Sequence, residues 1–171
     1  DHGVAYQLAM SSPATLVNDT AFTTQPVVTI QDQDGNTVTT GSDSQAIVTL
    51  SSNDATIGGT TTLTATAGVA NFANKGVKLT STIGTRHLTA TGAALTKTNS
   101  ITITFGAATK LAVTTPAAGA VNDVAFTTQP AVTVQDISGN TVTNSNASVV
   151  ASVNGVVLGG TTSRAASSGV A

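Results

Sequence analysis

Apolar and polar residues alternate in short runs along this chain, and Gly, Asn, Asp and Pro separate the runs. A period of two marks strands with one face turned inward. In the first hundred or so residues, roughly the size of one small sandwich domain, the alternation predicts an opening strand with Tyr6, Leu8 and Met10 on one face. A second strand follows Pro26, with Val28 and Ile30 inward. Further strands are expected around Ile47 to Leu50, around Leu63, at Val69 to Phe72 and at Val77 to Leu79. Arg86, Leu88 and Ala90 alternate with His87, Thr89 and Thr91, and Ile101, Ile103 and Phe105 close the set with one apolar face. Gly35-Asn36, after Asp32 and Asp34, is expected to form a tight turn between strands. Pro13 and Pro26 are expected at strand starts, where a missing N–H does little harm. No run keeps a helical period long enough to compete. About seven short strands, bounded by turn residues, predict an all-β sandwich.

The chain also repeats itself. Ala5 to Pro13 (AYQLAMSSP) parallels Ala108 to Pro116 (ATKLAVTTP), and FTTQP occurs at Phe22 and again at Phe126. QDQDGNTVT from Gln31 is matched by QDISGNTVT from Gln135; GGTT recurs at Gly58 and Gly159, and Gly-Val-Ala at Gly68 and Gly169. The offset stays near a hundred residues, about one sandwich domain. It drifts only where loops are expected, because loops tolerate insertion and strands do not. Two tandem sandwiches are therefore predicted, at 1–106 and 107–171. The second is incomplete: it has no counterpart of Asn71 to Phe105. Cut there, a sandwich would expose an apolar face, so the native chain is expected to continue past Ala171, with strand donation by another chain as the alternative. Asp1 in place of an initiating Met fits either a processed terminus or an excised fragment.

Composition narrows the class. Roughly a fifth of the residues are Thr and Glu is absent, a strand-forming mixture, because branching at Cβ suits a pleated sheet. Only 8% are charged, with six Lys and Arg in all and a net charge of −2, so no basic stripe can neutralise a nucleic-acid backbone. With no Cys, disulfides and thiolate metal sites are excluded, and the core and sheet hydrogen bonds must hold the fold. No segment reaches the roughly 18 apolar residues that a membrane-spanning helix needs.

The string VTIQDQDGNTVT, the run Ala46 to Leu50, Gly68-Val69-Ala70 and the late strand Gly84 to Thr91 (GTRHLTAT), taken in that order, resemble the bacterial Ig-like modules of invasin- and intimin-type surface proteins. The resemblance covers the first copy and all of the second. It implies tandem, Greek-key immunoglobulin-like sandwiches that form a stalk or surface layer, extracellular and at the cell surface of a bacterium or archaeon. Members often display a separate binding tip. No lectin-like tip is recognisable here, which speaks against direct receptor binding by these residues.

Candidate chemistry is sparse. Asp32, Asp34 and Asn36 cluster oxygens as a calcium loop would. Their spacing is not that of an EF-hand, and Asp34 becomes Ser138 in the second copy while Gly139 and Asn140 persist. A turn tolerates that swap and a ligand set does not, so a structural turn is expected. Structural calcium between modules, on Asp19 or Asp123, is the one cofactor reading left open; otherwise none is expected. His87 falls by parity on the outward, Thr-rich face, and His2 lies beside a terminus expected to be mobile. There is no G-x-S-x-G elbow, and a two-carboxylate glycosidase site would have to use Asp alone. No catalytic, cofactor-binding or metal residue is assigned, and the chain is expected not to be an enzyme. Lys75, Lys78, Lys97 and Lys110 are read as surface lysines rather than partners in an isopeptide bond. Two sequons occur, at Asn18 and Asn146. The Thr residues could carry O-linked sugar, but the strand-forming role is the simpler one.

Three functions follow from this. The first is a structural module of a large surface protein (stalk, filament, sheath or surface layer), whose partners are neighbouring modules. The second is an adhesive module binding a host or surface glycan through loops or a sheet edge, with Tyr6 its only aromatic platform apart from Phe. The third is a self-assembling subunit completed by strands from a neighbour.

Overall fold

Thr and Val at alternate positions pleat this chain into strands, and the computed structural model describes them for residues His2 to Ala171. Two compact units result, Asp1–Thr104 and Phe105–Ala171. The repeat comparison put the division after residue 106.

In the first unit the strands are β1 (Gln7–Ser11), β2 (Thr15–Val17), β3 (Val27–Gln31), β4 (Ile47–Ser51), β5 (Thr56–Gly58), β6 (Thr62–Thr64), β7 (Val69–Asn71), β8 (Lys78–Thr80), β9 (Gly84–Gly92) and β10 (Leu95–Thr104). The only helical element among the described residues is a 3-10 turn, Asp43–Gln45. The fold is all-β, as the alternation predicts. One sheet runs β1-β3-β7 and the other β2-β10-β9-β4-β6, with β5 and β8 forming a separate pair. All pairings are antiparallel except β2 with β10.

The strands outnumber the expected seven; β2 and β5 are the two that no expected strand covers, and each is three residues long. Pro26 does precede β3, but Pro13 lies in the crossover Ser12-Pro13-Ala14 that carries the chain from one sheet to the other. Tyr6 stands outside β1 and is exposed. Phe105 lies beyond β10, in the second unit.

The core lies between the two sheets. Val28 and Ile30 from β3, Val48 and Leu50 from β4, Leu88 and Ala90 from β9, and Ile101 and Ile103 from β10 meet Phe72, Val77 and Leu79 there. The FTTQP block now has a physical reason. Phe22 fills the core, and the Gln25 side chain acts as a rung of sheet for Val77: Oε1 accepts from Val77 N at 2.8 Å and Nε2 donates to Val77 O at 3.2 Å. Gln25 Nε2 also donates to Phe22 O at 2.8 Å, as Gln129 Nε2 does to Phe126 O at 3.0 Å in the second copy.

Gly-Val-Ala recurs for two reasons at once. Ala67 and Gly68 have φ of 48° and 79°, a primed two-residue turn closed by Thr66 and Val69. In addition, a Cβ on Gly68 would sit 2.4 Å from the Val38 carbonyl oxygen. Ser168 and Gly169 repeat the arrangement with φ of 51° and 76°, and a Cβ on Gly169 would meet Val142 O at 2.6 Å.

The second unit contains β11 (Lys110–Thr115) paired with β12 (Ala131–Gln135), and β13 (Ser148–Val150) paired with β14 (Ser163–Ala165). Its backbone bonds copy those of the first: Val134 N donates to Gly169 O as Ile30 N does to Gly68 O, and Ala166 N to Ala147 O as Ala65 N does to Ala46 O. Its core stays open. Leu8 and Met10 are 5% and 8% exposed, while their counterparts Leu111 and Val113 are 56% and 63% exposed. In the first unit β10 packs over β1, and the second copy has no segment that corresponds to β10.

Candidate functional site

The repeated Asp-x-x-Gly-Asn turn is the most organised polar site in the chain. Asp32 follows β3, and its backbone closes the turn: Gly35 N donates to Asp32 O and Asp32 N to Asn36 O. Its carboxylate is buried and is held by four donors. Oδ1 accepts from the backbone N–H of Asp34 at 3.0 Å and of Asn36 at 2.9 Å. Oδ2 accepts from Gly3 N at 2.8 Å and from Asn36 Nδ2 at 3.2 Å.

Asp136 repeats this bond for bond. Ser138 N and Asn140 N donate to Oδ1 at 3.0 and 2.9 Å, and Gly106 N and Asn140 Nδ2 donate to Oδ2 at 2.9 and 2.8 Å. The swap of Asp34 for Ser138 costs nothing at this site, because position 34 contributes its N–H and not its side chain. A cation at Asp32 would have to displace N–H donors from both oxygens. Among the described residues, no group of three or more His, Cys, Asp or Glu could hold a metal ion.

These donors move the acid's titration. The Gly3 N–H is the largest influence, burial opposes it, and the Asn36 and Asp34 donors add to it, so the Asp32 carboxyl is lowered from 3.8 to about 2. A depressed carboxyl stabilises the fold above its unfolded value, and that contribution is lost as pH falls through the folded one. The first unit should therefore hold its stability from neutral pH down to about pH 4 and lose it progressively toward about pH 2. Urea unfolding across that range checks this. In Asp32→Asn the fall should be shallower, with only other carboxylates such as Asp54 left to drive it.

No family model matches the chain, and no curated protein matches its sequence. The fold does resemble solved structures. A glycosyl hydrolase family 2 member from Bacteroides cellulosilyticus is 18% identical, with a TM-score of 0.45, over 60% of this chain and 15% of that one. Domains 4–9 of the surface layer protein SbsC are 17% identical, with a TM-score of 0.35, over 90% of this chain and 24% of that one. Domains 5–6 of the S-layer protein SbsC give 16% identity and a TM-score of 0.35, over 96% of this chain and 86% of that one. The chain thus spans less than a quarter of the length of the first two structures. With TM-scores below one half, none of these likenesses carries an argument about function.

The remaining candidates are placed as follows. His87 is exposed on the outward face of β9, as parity predicts, but it has an acid beside it that sequence reasoning missed. Its Nδ1 lies 2.7 Å from Asp54 Oδ2, and its backbone N–H donates to Asp54 Oδ1 at 3.0 Å. The His87 N–H is the main reason that the Asp54 carboxyl sits below its usual range; burial opposes it, and the His87 ring and Ser52 add to it. Ser100 stands opposite His87 in register, yet no hydrogen bond joins its hydroxyl to the ring, so the nucleophile–base link of a triad is not formed.

His2 Nε2 accepts from Thr40 N at 3.2 Å, and its Nδ1 lies 2.9 Å from Gly3 O. Asp19 accepts from Lys78 Nζ at 2.7 Å and from Thr80 Oγ1 at 2.8 Å, whereas Asp123 is exposed in the matching turn. Lys75, Lys97 and Lys110 are exposed and Lys78 is half-buried, so none has the buried setting an isopeptide bond needs. Asn18 is buried with its Oδ1 accepting from Ser81 N at 2.9 Å, which leaves no room for a sugar; Asn146 is exposed. Thr hydroxyls pair across strands, Thr89 with Thr98 at 3.0 Å and Thr49 with Thr62 at 3.4 Å, as strand-forming residues do.

Proposed function

We propose that this chain is a non-catalytic structural stretch of a larger extracellular protein, built from β-sandwich modules in line and serving as stalk, filament, sheath or surface layer. The observation that carries this reading is the copying of one module at atomic detail: the Asp32 and Asp136 sites, the Gly68 and Gly169 turns and the Gln25 and Gln129 side chains recur at the same places. What is copied is structural: turns, core residues and strand pairings. Among the described residues one acid–imidazole pair occurs, Asp54 with His87, and His87 is exposed on its strand.

The test is antibody labelling of intact source cells, before and after brief protease treatment. Antibodies to the first unit should label intact cells, and protease should remove the label. Labelling only after permeabilisation would reject the surface location.

A further inference from the structure

Each copy uses one carboxylate oxygen for the amides of its own turn, and the other for both the turn's Asn side chain and the chain that enters the module. Oδ1 of Asp32 takes the two turn amides, while Oδ2 takes Gly3 N, five residues ahead of the first core residue, Leu8. Asp136 divides its oxygens in the same way, and the amide it takes is that of Gly106. Gly106 is buried and lies in the connection between the two copies.

On the other side of that connection the chain is fixed as well. Thr104 ends β10; its carbonyl accepts from Asn18 N at 2.9 Å, and its hydroxyl donates to Leu16 O at 3.3 Å. Downstream, Thr109 N donates to Gln135 O, as Tyr6 N does to Gln31 O, so the grip passes directly into strand pairing.

We infer that Asp136, and Asp32 in its own copy, are entry residues: each module uses a buried carboxylate to grip the amide of the residue that enters it. The physical reason is mutual. A buried carboxylate that loses one of its donors is penalised, so the carboxylate holds the incoming amide while the amide helps to satisfy the carboxylate. The inference deepens the reading of the chain as an array, since each module fixes the start of its own chain in the same way. The grip itself is measured independently of where the protein resides.

Amide hydrogen exchange on the full chain, followed by NMR, tests it. In the unaltered protein, Gly106 N–H should exchange at least about a hundredfold more slowly than in an unstructured peptide, close to the rates of Ser138 and Asn140. In Asp136→Asn that protection should vanish at Gly106 while Val134 and Ala166 stay protected, a pattern that general loss of stability would not give. Gly106 exchanging at the unstructured rate in the unaltered protein, with Ser138 and Asn140 protected, overturns the inference. So does full protection of Gly106 in a folded Asp136→Asn. Where that variant unfolds the second unit, the rates of the unaltered protein decide alone.

Discussion

Joining a copy of residues 71–104 directly after Ala171 should close the second module and raise its stability sharply. Ala171 corresponds to Ala70, so the graft continues the chain at the equivalent position. Its strands would cover Leu111 and Val113, which are 56% and 63% exposed where Leu8 and Met10 are nearly buried. Burying side chains of this size completely is worth about 1.5–3 kcal/mol each, and nearly half of each is already covered, so these two should contribute about 1.5–3 kcal/mol together. Urea unfolding by circular dichroism should then show the second unit melting at a midpoint near that of the first. A graft that stays a disordered tail, with Leu111 and Val113 still open, would mean that the two copies do not share one architecture.

Replacing Gly68 or Gly169 by Ala should damage both copies alike. Each site combines a left-handed backbone with a carbonyl oxygen 2.4 or 2.6 Å from where the Cβ must go. The conformation costs about 1–2 kcal/mol, and overpacking adds about 1–3 kcal/mol. A loss of about 2–5 kcal/mol is therefore expected for each. Gly35 separates the two effects: its φ is 87° but nothing lies within 4 Å of a Cβ there. Gly35→Ala should cost only the conformational part. Equal losses at Gly35 and Gly68 would show that the close approach to Val38 contributes nothing.

The sequence made some of this legible and hid the rest for physical reasons. The alternation at β3 identified Val28 and Ile30 as core because strand period and burial coincide there. The same rule misplaced Tyr6, since alternation runs past the end of the paired strand. The parallel pairing of β2 with β10 joins residues far apart in the chain, and no local pattern encodes it. The β9–β10 hairpin turns at Ala93 and Ala94, with φ of 50° and 59°, where alanine gives no turn signal.

At the candidate site, Gly35-Asn36 announced the turn, but nothing local shows that the Asp32 carboxylate is buried or that Gly3 supplies a donor from 29 residues away. The pairing of Asp54 with His87 escaped notice for the same reason, being separated by 33 residues. The contact of His2 with Thr40 is hidden in the same way, the two being 38 residues apart. FTTQP was plain as a repeated string, yet the role of Gln25 as a substitute sheet rung emerges only once Val77 is beside it.

Electron microscopy of the purified native protein tests the central claim most directly. Modules copied in line should produce extended particles with similar, sandwich-sized densities repeating along their length. A single compact particle without repeating density would contradict it.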